Sequence, residues 1–433
     1  MGYSSDMVEG DEAQLNLGVI ASERIEIPDE ILDMLPEDAI SPLTFHIANN
    51  PGDRDATLGL GLCLFQAEDV LRGCDVICNL ARRLIYQGRV LEAVFVVHQG
   101  LRQSPKHPTL QDMLRRIHSI TVEVKRGEFE AEHPMTEEAP EDVTLEALKA
   151  AQPQDRHEIA RRLVASYRVP GDPMIPLPVP LLSELNESNF VMMVDHLQYR
   201  RVPDQRVILE EGDKRDSIVV VVNGHMNVSR GGKHLGKVGP GIVLGESGLL
   251  TRETLPVSVH AHHETEYFEL TRLAVRDMAR TNTRIVTQLQ SSFYKQIRGN
   301  ILNTAPLFEL FEDYAQYILI EEFEIAHFDP GAVIVEPGNA SAPLYIVASG
   351  SVELRVVADE ADPVIFEVAI INESLGAISH PANGAQVDAV ARSRVTVLKL
   401  DAEKFEGLFA DHPKAREYLE NLAKRRLAEA QAL

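Results

Sequence analysis

The chain of 433 residues has no hydrophobic run near the ~20 residues that a membrane-spanning helix needs. Its first residues, MGYSSDMVEGDEAQ, have neither the basic region nor the apolar region of a signal peptide. Asp6 also occupies the position at which a myristoylation signal has Ser or Thr. These absences predict a cytoplasmic protein with no membrane span.

Positive charge is scarce along the chain. The 42 Lys and Arg residues are outnumbered by 66 Asp and Glu, which gives a formal net charge of −24. A surface of this sign repels the phosphates of nucleic acids and of anionic membranes. We therefore expect no nucleic-acid partner.

Cysteine is also rare, and familiar catalytic motifs are absent. The three cysteines are Cys63, Cys74 and Cys78, and no further zinc ligands lie near them in sequence. They are expected to be reduced, buried thiols. The sequence has no GxSxG, Walker or HExxH motif. These absences favour a protein that is not an enzyme.

The N-terminal quarter has the periodicity of amphipathic helices, with apolar positions three and four apart. In CDVICNLARRLIYQGRVLEAVFVVHQGLRQSP, residues 74–105, Gly88 separates two such stripes and a proline follows the second. This unit resembles a tetratricopeptide repeat, which implies stacked helical hairpins and a groove for a protein partner. A plain helical bundle is the alternative. The candidate protein-binding residues are Leu84, Tyr86, Ala93 and Val97.

An acidic segment, GEFEAEHPMTEEAPED, spans Gly127–Asp142 and contains no Lys or Arg. Charge of one sign and low hydrophobicity predict a solvated linker. An acidic docking segment is the alternative interpretation. A short amphipathic helix, HEIARRLVASYRV, and a proline-rich stretch follow.

The rest of the chain contains two copies of one strand-rich pattern. Residues 207–228, VILEEGDKRDSIVVVVNGHMNV, and residues 333–354, VIVEPGNASAPLYIVASGSVEL, both begin with Val-Ile and carry glycines at the same two positions. Apolar strands punctuated by Gly, Asp, Asn and Pro are typical of a barrel or jelly roll. A duplication accounts for the match.

The first copy carries the motifs Gly212-Asp213, Asn223-Gly224, Gly239-Pro240-Gly241 and Leu244-Gly245-Glu246. This set resembles the cyclic-nucleotide-binding domain of catabolite-activator-like regulators and protein kinase A regulatory subunits. The resemblance implies a multidomain α+β chain, in which an α-helical repeat module precedes two β-jelly-roll domains with flanking helices. We predict a disordered tail at 1–24, a helical module at 25–125, an acidic linker and short helix at 126–177, and the two domains at 178–302 and 303–433.

In that family, a Gly-Glu turn opens a short helix whose amides face the cyclic phosphate, and a following arginine neutralises the phosphate charge. By this resemblance, Gly245 and Glu246 form the turn of the first copy, and Ser258 assists. Leu255 stands at the arginine position. Arg252 lies three residues earlier and could replace it only if the loop had a different geometry.

The second copy departs further from the family pattern. Gly376 aligns with the turn, Ala377 replaces the glutamate and Gln386 replaces the arginine. Since a charged hydrogen bond contributes ~1.5–3 kcal/mol, loss of the arginine weakens binding roughly tenfold to a hundredfold. We expect weak cyclic-nucleotide binding at most in the first copy and none in the second.

Histidines follow the turn of the first copy in VHAHHE. On a strand, His260, His262 and Glu264 would share one face and could bind zinc. A metal-dependent activity is therefore one alternative function, and exposed histidines on an edge strand are the simpler interpretation.

The leading hypothesis is a non-catalytic regulatory scaffold in signalling, with no cofactor and a protein partner bound through the helical module. The main alternative is a sensor that binds a cyclic nucleotide or cyclic dinucleotide through the first copy. Homo-oligomerisation is left open.

Overall fold

The structure, a computed structural model, describes residues 34–131, 133–141, 143–214, 216–245, 255, 257–311, 319–336, 343–357, 363–370, 372–376, 386–410 and 412–432. An N-terminal helical region is followed by two strand-rich regions with flanking helices, so the α+β class is confirmed. No helix within these ranges is both long and apolar enough to cross a membrane.

Two compact units divide the chain. The first contains Met1–Ile208, Ser217–Leu244 and Val259–Val286, and the second contains Leu209–Asp216, Gly245–Ser258 and Thr287–Leu433. The helical region and most of the first strand-rich region therefore belong to one unit.

Among the described residues, the first five helices are joined by connections of three or four residues: α1 (Pro36–Asn49), α2 (Arg54–Gln66), α3 (Val70–Tyr86), α4 (Val90–Gln103) and α5 (Pro108–Arg126). Neighbours in sequence pack against each other, as short connections require of helical hairpins. The remaining helices before the strands are α6 (Leu145–Ala150), α7 (Pro153–Ser166), α8 (Pro180–Ser183) and α9 (Glu187–His196).

Local sequence explains where the central helices start and stop. The Asp53 side chain accepts a hydrogen bond from the Ala56 amide at the start of α2, and Asp69 accepts one from the Arg72 amide at the start of α3. The predicted break at Gly88 is confirmed, because this glycine has a φ of +75° between α3 and α4.

The strands of the first region are β1 (Gln198–Val202), β2 (Val207–Leu209), β3 (Ser217–Arg230), β4 (Lys233–Val238), β5 (Val243–Leu244) and β6 (Ser258–Thr271). They form one sheet with the order β1-β6-β3-β4, in which β2 also pairs with β6 and β5 with β3. Strands β1 and β6 are antiparallel, from Gln198 opposite Glu269 to Val202 opposite Thr265. Helices α10 (Arg272–Thr281) and α11 (Arg284–Thr304) follow.

The described residues of the second region include the strands β7 (Glu324–Phe328), β8 (Val333–Val335), β9 (Leu344–Ser349), β10 (Val352–Val357), β11 (Val364–Ala369), β12 (Ser374–Gly376), β13 (Gln386–Ala391) and β14 (Val395–Leu400). They form two sheets, β11-β10-β13-β8 and β12-β9-β14-β7. A 3-10 turn at Phe308–Leu310 precedes the strands, and helices α12 (Ala402–Phe409) and α13 (Pro413–Gln431) follow them.

Strand β9, LYIVAS, has apolar or aromatic residues at every position before its last, Ser349. Tyr345 and Val347 belong to one core cluster, with residues of the other sheet. Leu344 and Ile346 belong to a second cluster, with residues of the flanking helices. Since successive side chains point to opposite faces, this strand is buried on both sides.

The repeated glycines have the same structural role in both regions. Gly224 has a φ of +84°, and a Cβ atom there would lie 2.7 Å from the Glu264 carbonyl oxygen. Gly350 has a φ of +83°, and a Cβ atom would lie 2.4 Å from the Arg394 carbonyl oxygen. Both positions therefore require glycine for backbone conformation and for the close approach of a second strand.

Candidate functional site

The predicted phosphate-binding turn begins with a left-handed glycine in each copy. Gly245, directly after β5, has a φ of +85°, and Gly376, at the end of β12, has a φ of +78°. A Cβ atom on Gly376 would lie 2.0 Å from the Pro343 carbonyl oxygen. Glycine is required at this turn even in the copy that has lost the other ligand-binding residue types.

Leu255, the residue that the family resemblance aligns with the phosphate-binding arginine, is buried, with 2% of its surface exposed. Its amide donates a hydrogen bond to the Asp213 carbonyl at 2.8 Å, and its carbonyl accepts one from the Gly212 amide at 2.9 Å. Two backbone hydrogen bonds therefore fix this residue against the Gly-Asp segment. The leucine side chain contributes no charge to an anion.

Ser258 also contacts this segment. Its hydroxyl oxygen accepts a hydrogen bond from the Glu211 amide at 3.0 Å. In this structure the hydroxyl thus stabilises the backbone between β2 and β3.

The remaining ligand-binding candidates are less fully described. Glu246 and Arg252 lie outside the described residues, and so does Ala377. Gln386 is the first residue of β13 and is paired with Val357 of β10.

A cation in the second strand-rich region was not anticipated from the sequence. Arg355 of β10 donates from Nε to Asp388 Oδ1 at 3.0 Å and from Nη2 to Asp388 Oδ2 at 2.6 Å. This bidentate pair neutralises the guanidinium inside the sheet. The sequence shows an arginine on one strand and an aspartate on another, but it does not show that they are neighbours. That follows only from the β10–β13 register, in which Arg355 lies opposite Asp388.

The predicted histidine cluster does not form a metal site. Among the described residues, no group of three or more His, Cys, Asp or Glu side chains could hold a metal ion. His263 has a φ of +61° and interrupts the strand alternation between His262 and Glu264. Glu264 lies 3.8 Å from the Arg201 guanidinium, and His262 contacts Asn227. These three residues therefore form no three-ligand site within the described ranges, although His260 and His262 keep the same place in the strand alternation.

The four residues proposed to bind a protein partner are all buried: Leu84, Tyr86, Ala93 and Val97. The backbone of Tyr86 accepts a hydrogen bond from the Met174 amide at 2.9 Å, and its hydroxyl donates to the Gly171 carbonyl at 3.0 Å. An apolar stripe on a helix does not distinguish a surface for a partner from one that packs within the fold. Tyr86 also lines a cavity beside His133, so of the four it is the residue with a contact outside the helical core, and the binding role of all four stays a prediction.

A buried charge cluster, which joins residues distant in sequence, lies within the first unit. Arg54 donates to Glu266 at 2.7 and 2.5 Å and to Glu92 at 2.6 Å. Arg201 of β1 donates to Asp55 at 2.5 Å and also contacts Glu266. Burial would raise the pKa of Glu266, but the two arginines outweigh it and lower this pKa to about 2. The cluster connects α2 and α4 to strands β1 and β6.

Comparison with known proteins identifies the strand-rich regions. Residues 199–282 and 325–412 match the cyclic nucleotide-binding domain family. The chain carries two cyclic nucleotide-binding domains in tandem. We refer to them below as the first and second domains.

Several curated relatives and solved structures share these domains. A cGMP-dependent protein kinase of Caenorhabditis elegans is 24% identical over 236 residues, which cover 53% of this chain and 29% of the kinase. A type II regulatory subunit of cAMP-dependent protein kinase from Drosophila melanogaster is 25% identical over 234 residues, which cover 53% of this chain and 59% of the subunit. The regulatory domain of Toxoplasma gondii PKA, crystallised with cAMP, matches 57% of this chain and 92% of its own at 18% identity, with a TM-score of 0.27. The chain thus spans about a third to three fifths of these two curated relatives.

Proposed function

We propose that this protein is a non-catalytic regulatory scaffold whose two domains have lost effective cyclic-nucleotide binding and whose helical module binds a protein partner. Its place of action would be the cytoplasm. The tandem domains support the regulatory part of this proposal, because both match a family of ligand-binding rather than catalytic domains.

The observation that carries the proposal is the burial of Leu255. A cyclic phosphate needs a compensating charge when it leaves water, and an apolar side chain cannot supply it. The backbone hydrogen bonds of Leu255 to Gly212 and Asp213 hold it in place. Replacement of a guanidinium by this side chain removes the strongest expected contact of the pocket.

Calorimetric titration of the full chain with cyclic AMP and cyclic GMP tests the proposal. We expect no binding heat up to about 1 mM ligand, since the lost arginine alone weakens binding roughly tenfold to a hundredfold. The variant Leu255→Arg restores the missing charge and should gain at least tenfold in affinity. A thermal melt of the variant establishes that the buried substitution leaves the domain folded.

Micromolar binding by the wild type would contradict the proposal and establish the alternative, a true sensor in the first domain. In that case Glu246→Ala should remove the binding, and Arg252→Ala would show whether this arginine replaces the missing cation. A thermal-shift screen with cyclic dinucleotides extends the same test to larger anions.

A further inference from the structure

The acidic segment after α5 contacts the helical module at several points, although most of its described residues are exposed. The Arg161 guanidinium donates to both carboxylate oxygens of Glu137, at 2.7 and 2.9 Å. The Glu137 amide donates to the Ala165 carbonyl at 3.1 Å. One glutamate is therefore held by its side chain and by its backbone, in the manner of a bound peptide.

Two further contacts extend along this segment. Arg162 donates to the Glu138 carbonyl at 3.2 Å. The His133 ring lies 4.5 Å from the Tyr86 ring, measured between centroids. The segment runs extended between these points, with no helix or strand over the described residues from 128 to 141. Pro134 and Pro140 favour this extended conformation.

The segment is attached mainly through charge. Glu137 and Glu138 are exposed, and Met135 is 91% exposed. The Glu137 side chain is 46% exposed and that of Arg161 is 15% exposed, so this pair is partly screened by solvent and contributes on the order of 1 kcal/mol. Such a segment can leave the surface without disruption of the helical core.

A cavity of about 520 Å³ lies between the segment and helices α3, α5 and α7. The charged helix residues that line it are Arg82, Arg116 and Arg161 against one acid, Asp75. Ile85 and Met113 supply apolar contacts nearby, a mixed lining suited to a peptide. With the segment in place, Glu130 and Glu137 balance part of this positive charge. Arg116 and Arg161 also pair with Glu123 and Glu158 of their own helices, so an incoming carboxylate shares these arginines with resident acids.

We propose that the helices α3, α5 and α7 form a binding groove for an extended acidic peptide of a partner protein, and that the segment 128–141 occupies this groove as an intramolecular competitor. This inference rests on the protein-binding role proposed above and names its partner chemistry. The partner's carboxylate takes the place of Glu137 on Arg161. A tethered competitor acts at an effective concentration on the order of millimolar. A partner peptide therefore displaces the segment only if it binds the groove more tightly than the segment does or is present at a high local concentration.

A labelled peptide with the sequence of residues 128–141, EFEAEHPMTEEAPE, serves as the probe for the full-length protein. We expect weak binding to the wild type, because its own segment competes. The variant Glu137→Lys repels its segment from Arg161 and should bind the peptide at least tenfold more tightly by fluorescence anisotropy. Addition of Arg161→Gln to that variant should reverse the gain.

The controls separate charge recognition from general loosening of the module. Arg115→Gln removes an exposed arginine of α5 outside the cavity lining and should leave peptide binding within twofold. A peptide in which every Glu is replaced by Gln should lose at least tenfold. Far-UV circular dichroism of each variant tests whether its helicity is retained. Because Glu137 is exposed, Glu137→Lys is the variant expected to disturb folding least.

Equal affinity of the peptide for the wild type and the Glu137→Lys variant would overturn the inference. So would binding that is indifferent to Arg161→Gln. The nucleotide titration reports on Leu255 and the peptide titration on Arg161, so either proposal can fail while the other stands.

Discussion

His98 is a buried histidine in the helical module. Its side chain is 5% exposed, and Nδ1 has no hydrogen-bond partner among the described residues. Burial, and secondarily the charge of Arg102, lower the pKa of His98 to about 4 from its ordinary value of 6.5. The folded protein therefore holds this ring neutral at a pH where the unfolded chain binds a proton.

We predict that the free energy of unfolding falls as the pH drops from 6.5 towards 4. A histidine whose pKa is lower in the folded state than in the unfolded state contributes its full stability above the unfolded-state pKa. That contribution is lost as the pH falls towards the folded-state pKa. For His98 the loss amounts to roughly 3 kcal/mol between pH 6.5 and 4. Urea unfolding at pH 7.0, 5.5 and 4.5, followed by circular dichroism, measures the change. His98→Gln should flatten the profile over this range.

His234→Gln serves as the matched control for this prediction, because His234 is exposed on β4. Its profile should follow that of the wild type. Glu266 has a pKa lowered to about 2 from 4.5, so its contribution is lost only below pH 4.5. A His98→Gln profile as steep as the wild type between pH 6.5 and 4.5 would assign the acid sensitivity to other groups.

At the level of strands and helices, two glycines of the second unit should respond to alanine in opposite directions. Gly350, between β9 and β10, has a positive φ and no room for a Cβ atom beside Arg394. Gly350→Ala should destabilise the second domain by about 1–3 kcal/mol. Gly407 lies within α12 with open space around it, so Gly407→Ala should stabilise by about 0.5–1 kcal/mol.

Chemical denaturation of both variants, monitored by circular dichroism, checks this pair. The opposite signs are the essential result, because one substitution adds strain to a turn and the other removes backbone entropy from the unfolded chain. If Gly350→Ala were neutral, the close approach of the Arg394 carbonyl to β9–β10 would not hold in solution.

The sequence predicted those features that depend on local pattern. The repeated glycines identified a turn whose conformation recurs in both domains, and the helix break at Gly88 followed from one residue type. The apolar stripes containing Leu84 and Val97 predicted helices correctly, but their periodicity could not tell which neighbour would cover them. A strict alternation along the histidine strand could not anticipate the positive φ at His263, which interrupts the pattern between His262 and Glu264.

The features that the sequence did not predict depend on distant partners. Arg54 and Glu266 are separated by 212 positions, and neither has an unusual local context. The composition of the acidic segment 127–142 predicted a solvated linker, and its described residues are mostly exposed. Its contact with the module depends on Arg161, which lies 24 positions from Glu137 and gives no local signal.

At the scale of the whole molecule, the charge cluster determines how the helical module and the first domain behave together. Arg54, Glu92 and Glu266 are all buried. A buried charge that loses its partner costs several kcal/mol, whereas an intact buried cluster contributes little net stability. Substitution of one arginine of this cluster therefore tests whether the helical module and the strands of the first domain unfold cooperatively.

We predict that Arg54→Ala destabilises the helical module and strands β1 and β6 together. Glu92 and Glu266 would each lose a charged donor in a buried setting but keep Arg89 and Arg201, respectively, so the cost should lie near the lower end of the range for a broken buried pair, about 3 kcal/mol. Hydrogen exchange followed by mass spectrometry should show the protection of α2, β1 and β6 falling by a common factor. Arg115→Ala, which breaks an exposed pair with Asp112, should change protection by less than about 1 kcal/mol. Faster exchange confined to α2 would instead mean that the cluster does not join the module to the sheet, and that partner binding at the helices leaves the first domain unaffected.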